Sequence, residues 1–167
     1  MVRDLINREK LRRALLYFAY VFVVCFLQDS VFGPISLFGA NMMFVPAAAI
    51  AIGGFEGGVW GAAFGLILGF FADISFGNVA LFTALFPVLG FAAGILTRWY
   101  VNDSLFAYLI TCFVSFLITA AAQIAGPALA GNPLAPMLWT GLVQSVWSLP
   151  MAAAVYYPCR AIGRKKI

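Results

Sequence analysis

The chain contains no histidine, and only 10% of its 167 residues are Asp, Glu, Lys or Arg. The first absence removes the commonest metal ligand and the side chain best suited to proton transfer near neutral pH. The second sets the chain apart from soluble domains, which carry about 25% charged residues. Cysteine is also scarce. Cys25 and Cys112 lie inside apolar segments and Cys159 stands near a basic tail, with neither a pairing pattern nor metal-ligand spacing. They read as small packing residues. Paired carboxylates, a nucleophile beside a base, a P-loop and a dinucleotide fingerprint are all missing. The sequence therefore predicts no enzyme activity, no catalytic residue, no metal and no cofactor.

Apolar side chains dominate instead. The chain is 64% hydrophobic, with a mean hydropathy of +1.01, and a soluble monomer has no way to hide that much apolar surface. A helical span needs about 20 residues to cross a hydrocarbon core of roughly 30 Å. The length then allows one transmembrane domain over 1–167: a basic N-terminus at 1–13, six spans between about 14 and 158, and a basic tail at 159–167. Apolar runs mark spans at 14–32, 57–73, 79–97, 105–124 and 137–157, with a sixth and less regular stretch at about 35–52, interrupted by Asn41 and Pro46. The first run lacks a small-residue cleavage site, which predicts that it stays as a helix rather than leaving as a signal peptide.

Charge placement decides the irregular stretch. Arg3, Arg8, Lys10, Arg12 and Arg13 precede the first span, and Arg160, Arg164, Lys165 and Lys166 follow the start of the tail. The positive-inside rule puts both ends in the cytoplasm, so the number of crossings is even and 35–52 crosses. Arg98 then falls in a cytoplasmic loop, and every Lys and Arg lies on one side. The expected architecture is an all-α, polytopic bundle of six transmembrane helices with both termini cytoplasmic. The net charge of +4 is accounted for by topology, and no nucleic acid is expected as a partner. Trp99, Tyr100, Tyr156, Tyr157 and Trp139 fall near predicted ends, as interfacial belts require. Between the last two spans, 126–136 holds Pro127, Pro133 and Pro136 and is expected to be a stiff loop that continues neither helix.

The densest local signal is a ladder of glycines at four-residue spacing: Gly53, Gly57, Gly61, Gly65 and Gly69. Four residues turn a helix by about 400°, so the stripe drifts slowly around one face, where backbones can approach closely. Gly90 and Gly94 form a shorter pair of the same kind. Packing at the centre of the bundle is the simpler reading of these glycines, and a partner or substrate-lining face is the functional one. Glu56 and Asp103 precede spans and are expected to cap them. Asp29 and Asp73 sit at the C-terminal ends of spans, where negative charge is unfavourable. They are either solvated at the interface or functional. Pro46, Pro87 and Pro150 fall within spans and are candidate kinks, but no charged residue accompanies them at mid-depth, which argues against an ion-coupled pump.

Residues 61–81 read GAAFGLILGFFADISFGNVAL. This stretch, with Gly61, Gly65, Gly69, Asp73, Gly77 and the Ala80-Leu81 helix start, resembles the rod shape-determining protein MreD family. Length, the basic N-terminus, Pro46, Pro150 and the basic stub extend the likeness loosely over most of the chain, while the glycine ladder from Gly53 is longer than the family's. The resemblance implies a non-enzymatic scaffold in the bacterial inner (cytoplasmic) membrane. Its implied partners are a bitopic MreC-like protein and, through it, MreB-like filaments and the cell-wall synthases of the elongation complex. In design the family is also similar to the six-helix substrate-binding components of energy-coupling-factor vitamin transporters. That alternative would use outer-loop donors such as Ser36, Asn41, Asn78 and Asn132 to hold a ligand.

Overall fold

A computed structural model of the chain describes residues 2–37, 39–77, 80–99 and 105–163, so Asn78, Tyr100, Asp103 and the basic residues 164–166 lie outside it. The described chain is almost entirely helical. Helix α1 (Val2–Leu27) runs into a wider π-turn (Gln28–Phe32), followed by a small antiparallel hairpin of β1 (Ser36–Leu37) and β2 (Ala40–Asn41). Helices α2 (Val45–Glu56), α3 (Gly58–Phe76), α4 (Leu81–Trp99), α5 (Leu105–Leu129) and α6 (Leu134–Gly163) complete it. The stretch Lys10–Phe32, which runs from α1 through the π-turn, and α3, α5 and α6 are each long and apolar enough to cross a membrane; α2 and the apolar part of α4, Leu81–Thr97, are shorter.

Helix α2 is the hub. Its 12 residues rise about 18 Å, and every residue from Val45 to Gly53 is buried. It packs against all five other helices. The run Pro46-Ala47-Ala48-Ala49 explains this, since small side chains let neighbours close in from every direction. The outward faces of the surrounding helices carry exposed Phe18, Phe22, Phe26, Leu66, Phe70, Ile110 and Val114 at helical spacing. Such a surface suits an apolar solvent.

Here the structure corrects the sequence reading at several points. Residues 35–52 are not one helix: the hairpin and an irregular Met42–Phe44 linker occupy the first half. Pro46 kinks nothing, because it stands in the first turn of α2, where its missing amide would have had no helical acceptor. Pro87 and Pro150 lie inside continuous helices. Each denies a partner amide to the carbonyl four residues earlier. The 126–136 segment is mostly helix, with α5 continuing through Pro127 and α6 beginning before Pro136. Only four residues join them. Gly126 and Pro127 carbonyls take the amides of Ala130 and Asn132 and turn the chain.

Non-helical backbone buried among apolar helices must find partners within the protein. Gln28 supplies two: its Nε2 donates to the Met42 carbonyl (2.6 Å) and its Oε1 accepts the Phe44 amide (3.1 Å). Ser148 Oγ accepts the Met43 amide (3.0 Å). The π-turn that begins at Gln28 places this side chain, which is almost fully buried. Tyrosines tie the other levels together. Tyr108 donates to the Ala47 carbonyl and Tyr20 to the Val155 carbonyl. Tyr17 donates to Glu56, which therefore caps no helix; α3 has no side-chain cap. The helices alternate in direction, and Gly163 at the end of α6 lies against Tyr17 and Phe55. The basic first turns of α1 and the end of α6 thus share one end of the bundle.

Candidate functional site

The glycine ladder forms a single seam between α2, α3 and α4. A Cβ on Gly65 would stand 2.6 Å from the Phe86 carbonyl oxygen and 3.0 Å from the Pro87 Cα. One on Gly69 would collide with the Phe82 carbonyl, and one on Gly61 would lie 2.6 Å from the Gly53 Cα. From the other side, Gly90 abuts the Gly61 backbone and Gly94 that of Gly58. Backbone therefore touches backbone over about three turns, giving the close dispersion contact that holds helices together in an apolar solvent. Gly57, with φ 106°, is the one-residue joint at which α2 reverses into α3. At the opposite end Gly77, in the left-handed region at φ 67°, closes α3 and donates its amide to the Asp73 carbonyl.

Asp73 has a role that its position at the end of α3 conceals. Its Oδ1 accepts the Phe82 amide (2.9 Å), and its Oδ2 accepts the Thr83 amide (2.8 Å) and Thr83 hydroxyl (2.6 Å). These groups belong to the first turn of α4. Ala80, which precedes that turn, has no side-chain oxygen to offer them. The carboxylate is thus the N-cap of the next helix, borrowed across the turn, and faces the positive end of the α4 dipole. The expectation of a carboxylate in an unfavourable helix-end field is corrected on this point. We predict that Asp73→Ala lowers stability by about 2 kcal/mol, while Asp73→Asn, which keeps one acceptor, loses markedly less. Thermal unfolding in detergent checks this, and equal losses for the two variants would contradict the capping role.

Asp29 in the π-turn lies at the same end of the bundle, where its Oδ2 accepts the Ser75 hydroxyl (2.7 Å). An open recess of about 400 Å³ lies there, lined by Gln28, Asp29, Gly33, Asn41, Ser75 and Phe76. A second, of about 500 Å³, borders Asp73, Gly77 and Thr83. Of the residues singled out from sequence, Gly61, Gly65, Gly69, Asp73, Gly90 and Gly94 come together, with Gly57 and Gly77 at the two turns. Gln28, Ser148 and Thr83 were missed. The signal for Thr83 was its place just inside a helix that starts eight residues after an aspartate. Among the described residues, no group of His, Cys, Asp and Glu is arranged to hold a metal ion. No family model, curated protein or solved structure matches the chain.

Proposed function

We propose that the protein is a non-enzymatic inner-membrane scaffold of a bacterial cell-elongation complex, holding an MreC-like bitopic partner and, through it, MreB-like filaments and peptidoglycan synthases. One observation carries the reading. Within the 61–81 stretch on which the family resemblance rests, Gly61, Gly65, Gly69 and Asp73 hold α3 against α4, and Gly77 closes α3. A scaffold needs a surface that does not deform, and this corner supplies one. The mechanism is positional: the bundle presents fixed lateral helix faces and an outer corner, and does no chemistry. In this reading all six helical elements complete crossings, α2 doing so together with its hairpin, and both basic termini face the cytoplasm.

Cross-linking in native membranes, followed by identification of the captured chains, tests the proposal. A bitopic partner of the elongation machinery is expected; capture of a transporter energising subunit would overturn it. That second reading, a vitamin-binding transporter component, draws on the polar recess at Gln28, Asp29, Asn41 and Ser75. It predicts thermal stabilisation that grows with the logarithm of vitamin concentration above the dissociation constant, whereas a scaffold gives none.

A further inference from the structure

The end of the bundle opposite the basic termini carries negative charge without a cation to balance it. No Lys or Arg occurs between Arg13 and Arg98 or between Arg98 and Arg160, and Arg98 stands at the far end of α4. Two carboxylates lie at this end. Asp73 is fully engaged, because its oxygens take three bonds from the first turn of α4. Asp29 takes one, from the Ser75 hydroxyl at 2.7 Å, and among the described residues its Oδ1 meets no donor. The π-turn continues α1, so Asp29 also stands near the negative end of that helix's dipole. Its charge is left to water or to a bound cation.

Asp29 borders the recess of about 400 Å³, a volume within the range of small-ligand sites. Three elements meet there: the π-turn brings Asp29, β2 brings Asn41, and the last turn of α3 brings Ser75 and Phe76. What they offer is chiefly acceptors. Ser75 has committed its proton to Asp29 and keeps only lone pairs, while the exposed Asn41 adds an amide oxygen. Gln28 has both ends of its amide engaged with Met42 and Phe44. One carboxylate makes a poor cage for a divalent metal, and no metal-holding group forms among the described residues. An organic cation suits the lining better. Phe76, set edge-on against Phe82 with ring centroids 5.8 Å apart, supplies an aromatic surface beside the acceptors. A guanidinium is planar, stacks on such rings and spreads its donors over several oxygens, whereas an ammonium is a compact, strongly hydrated point charge.

We propose that this recess holds an arginine side chain of a polypeptide, its guanidinium paired with Asp29, bonded to Asn41 and Ser75 and laid on Phe76. Charge selects the source. A free amino acid would bring a carboxylate for which this end of the bundle has no cation, and an arginine within a chain brings none. The site stands apart from the scaffold reading, because it uses groups of this chain alone, and it fills the recess with a cation in place of the vitamin of the alternative.

The test is a ligand-observed NMR titration of the full chain in detergent at fixed ionic strength, with Nα-acetyl-argininamide as the probe. Saturable binding is expected, and the citrulline analogue, of the same shape without the charge, should need about fivefold more ligand for half-saturation. Asp29→Asn should remove that preference. Should Asp29→Asn fail to fold, Asn41→Leu leaves the Asp29–Ser75 bond intact and should weaken the arginine probe. Nα-acetyl-lysinamide should bind more weakly than the arginine probe, and free arginine no more tightly. Equal binding of the citrulline analogue, a preference that survives in every variant that folds, or equal binding of the lysine analogue, which would mean unspecific charge attraction, would each overturn the proposal. Tighter binding of free arginine would overturn the polypeptide source.

Discussion

Replacing Gly65 with leucine is expected to abolish the folded bundle. The Cβ alone would sit 2.6 Å from the Phe86 carbonyl oxygen and 2.8 Å from its carbonyl carbon. Those atoms are backbone and cannot rotate away. Leucine adds three more carbons where α3 and α4 already touch, so the helices must separate and the seam on both sides of the site opens. Even Gly65→Ala should cost about 1–3 kcal/mol through overpacking, against the 0.5–1 kcal/mol that alanine usually gains over glycine within a helix. The sign is therefore diagnostic. Gly126→Ala is the control, since a Cβ at that position has no neighbour within 4 Å, and it should leave stability unchanged or slightly raised. Monodispersity after detergent extraction and the unfolding midpoint read both variants. A Gly65→Leu protein that extracts and melts like the parent would refute the seam.

The second large effect is expected at Gln28. Substitution by leucine keeps the bulk but leaves the Met42 carbonyl and the Phe44 amide without partners at an almost fully buried site. Each orphaned group costs about 1–3 kcal/mol, so Gln28→Leu should lose about 3 kcal/mol or more. The damage should be local as well as global. The start of α2 loses its tether, and the amide of Phe44 should exchange with solvent much faster than those of Ala48 or Ile52. Gln123→Leu makes a useful contrast, because that amide reaches only the Met43 sulfur at 3.1 Å, and thioether sulfur is a weak acceptor. Its loss should be below about 1 kcal/mol. Comparable losses at the two glutamines would mean that the clamp on the Met42–Phe44 linker is not what holds α2 in place.

These two sites also mark how far the sequence could be read. The helices built from long apolar runs, α3, α4, α5 and α6, begin within about three residues of where the runs predict them, because length and hydropathy are local properties, while α5 and α6 run five and six residues past the expected ends. The glycine ladder was equally legible as a close-packing stripe. What it packs against was not, since the partner backbone of Phe82, Phe86 and Gly90 belongs to another helix. The 35–52 stretch failed for a related reason. Its apolar composition matches a span, but its irregular backbone at Met42–Phe44 is satisfied by Gln28 and by Ser148, 105 residues from Met43. The field of its own helix is the local rule for Asp73, while its three bonds go to the following helix. Local rules assign elements well and miss bonds that a turn or a bundle brings together.

The central claim is that the hairpin and α2 together carry the chain across the membrane, so that the basic ends lie on one side and the α5–α6 connection on the other. A single cysteine at Asn132, in a chain whose Cys25, Cys112 and Cys159 are replaced by alanine, tests it in intact cells with a membrane-impermeant maleimide. The account predicts labelling from outside without permeabilisation. If α2 did not complete a crossing, every later helix would reverse and Asn132 would face the cytoplasm. Labelling only after the cells are opened would contradict the account.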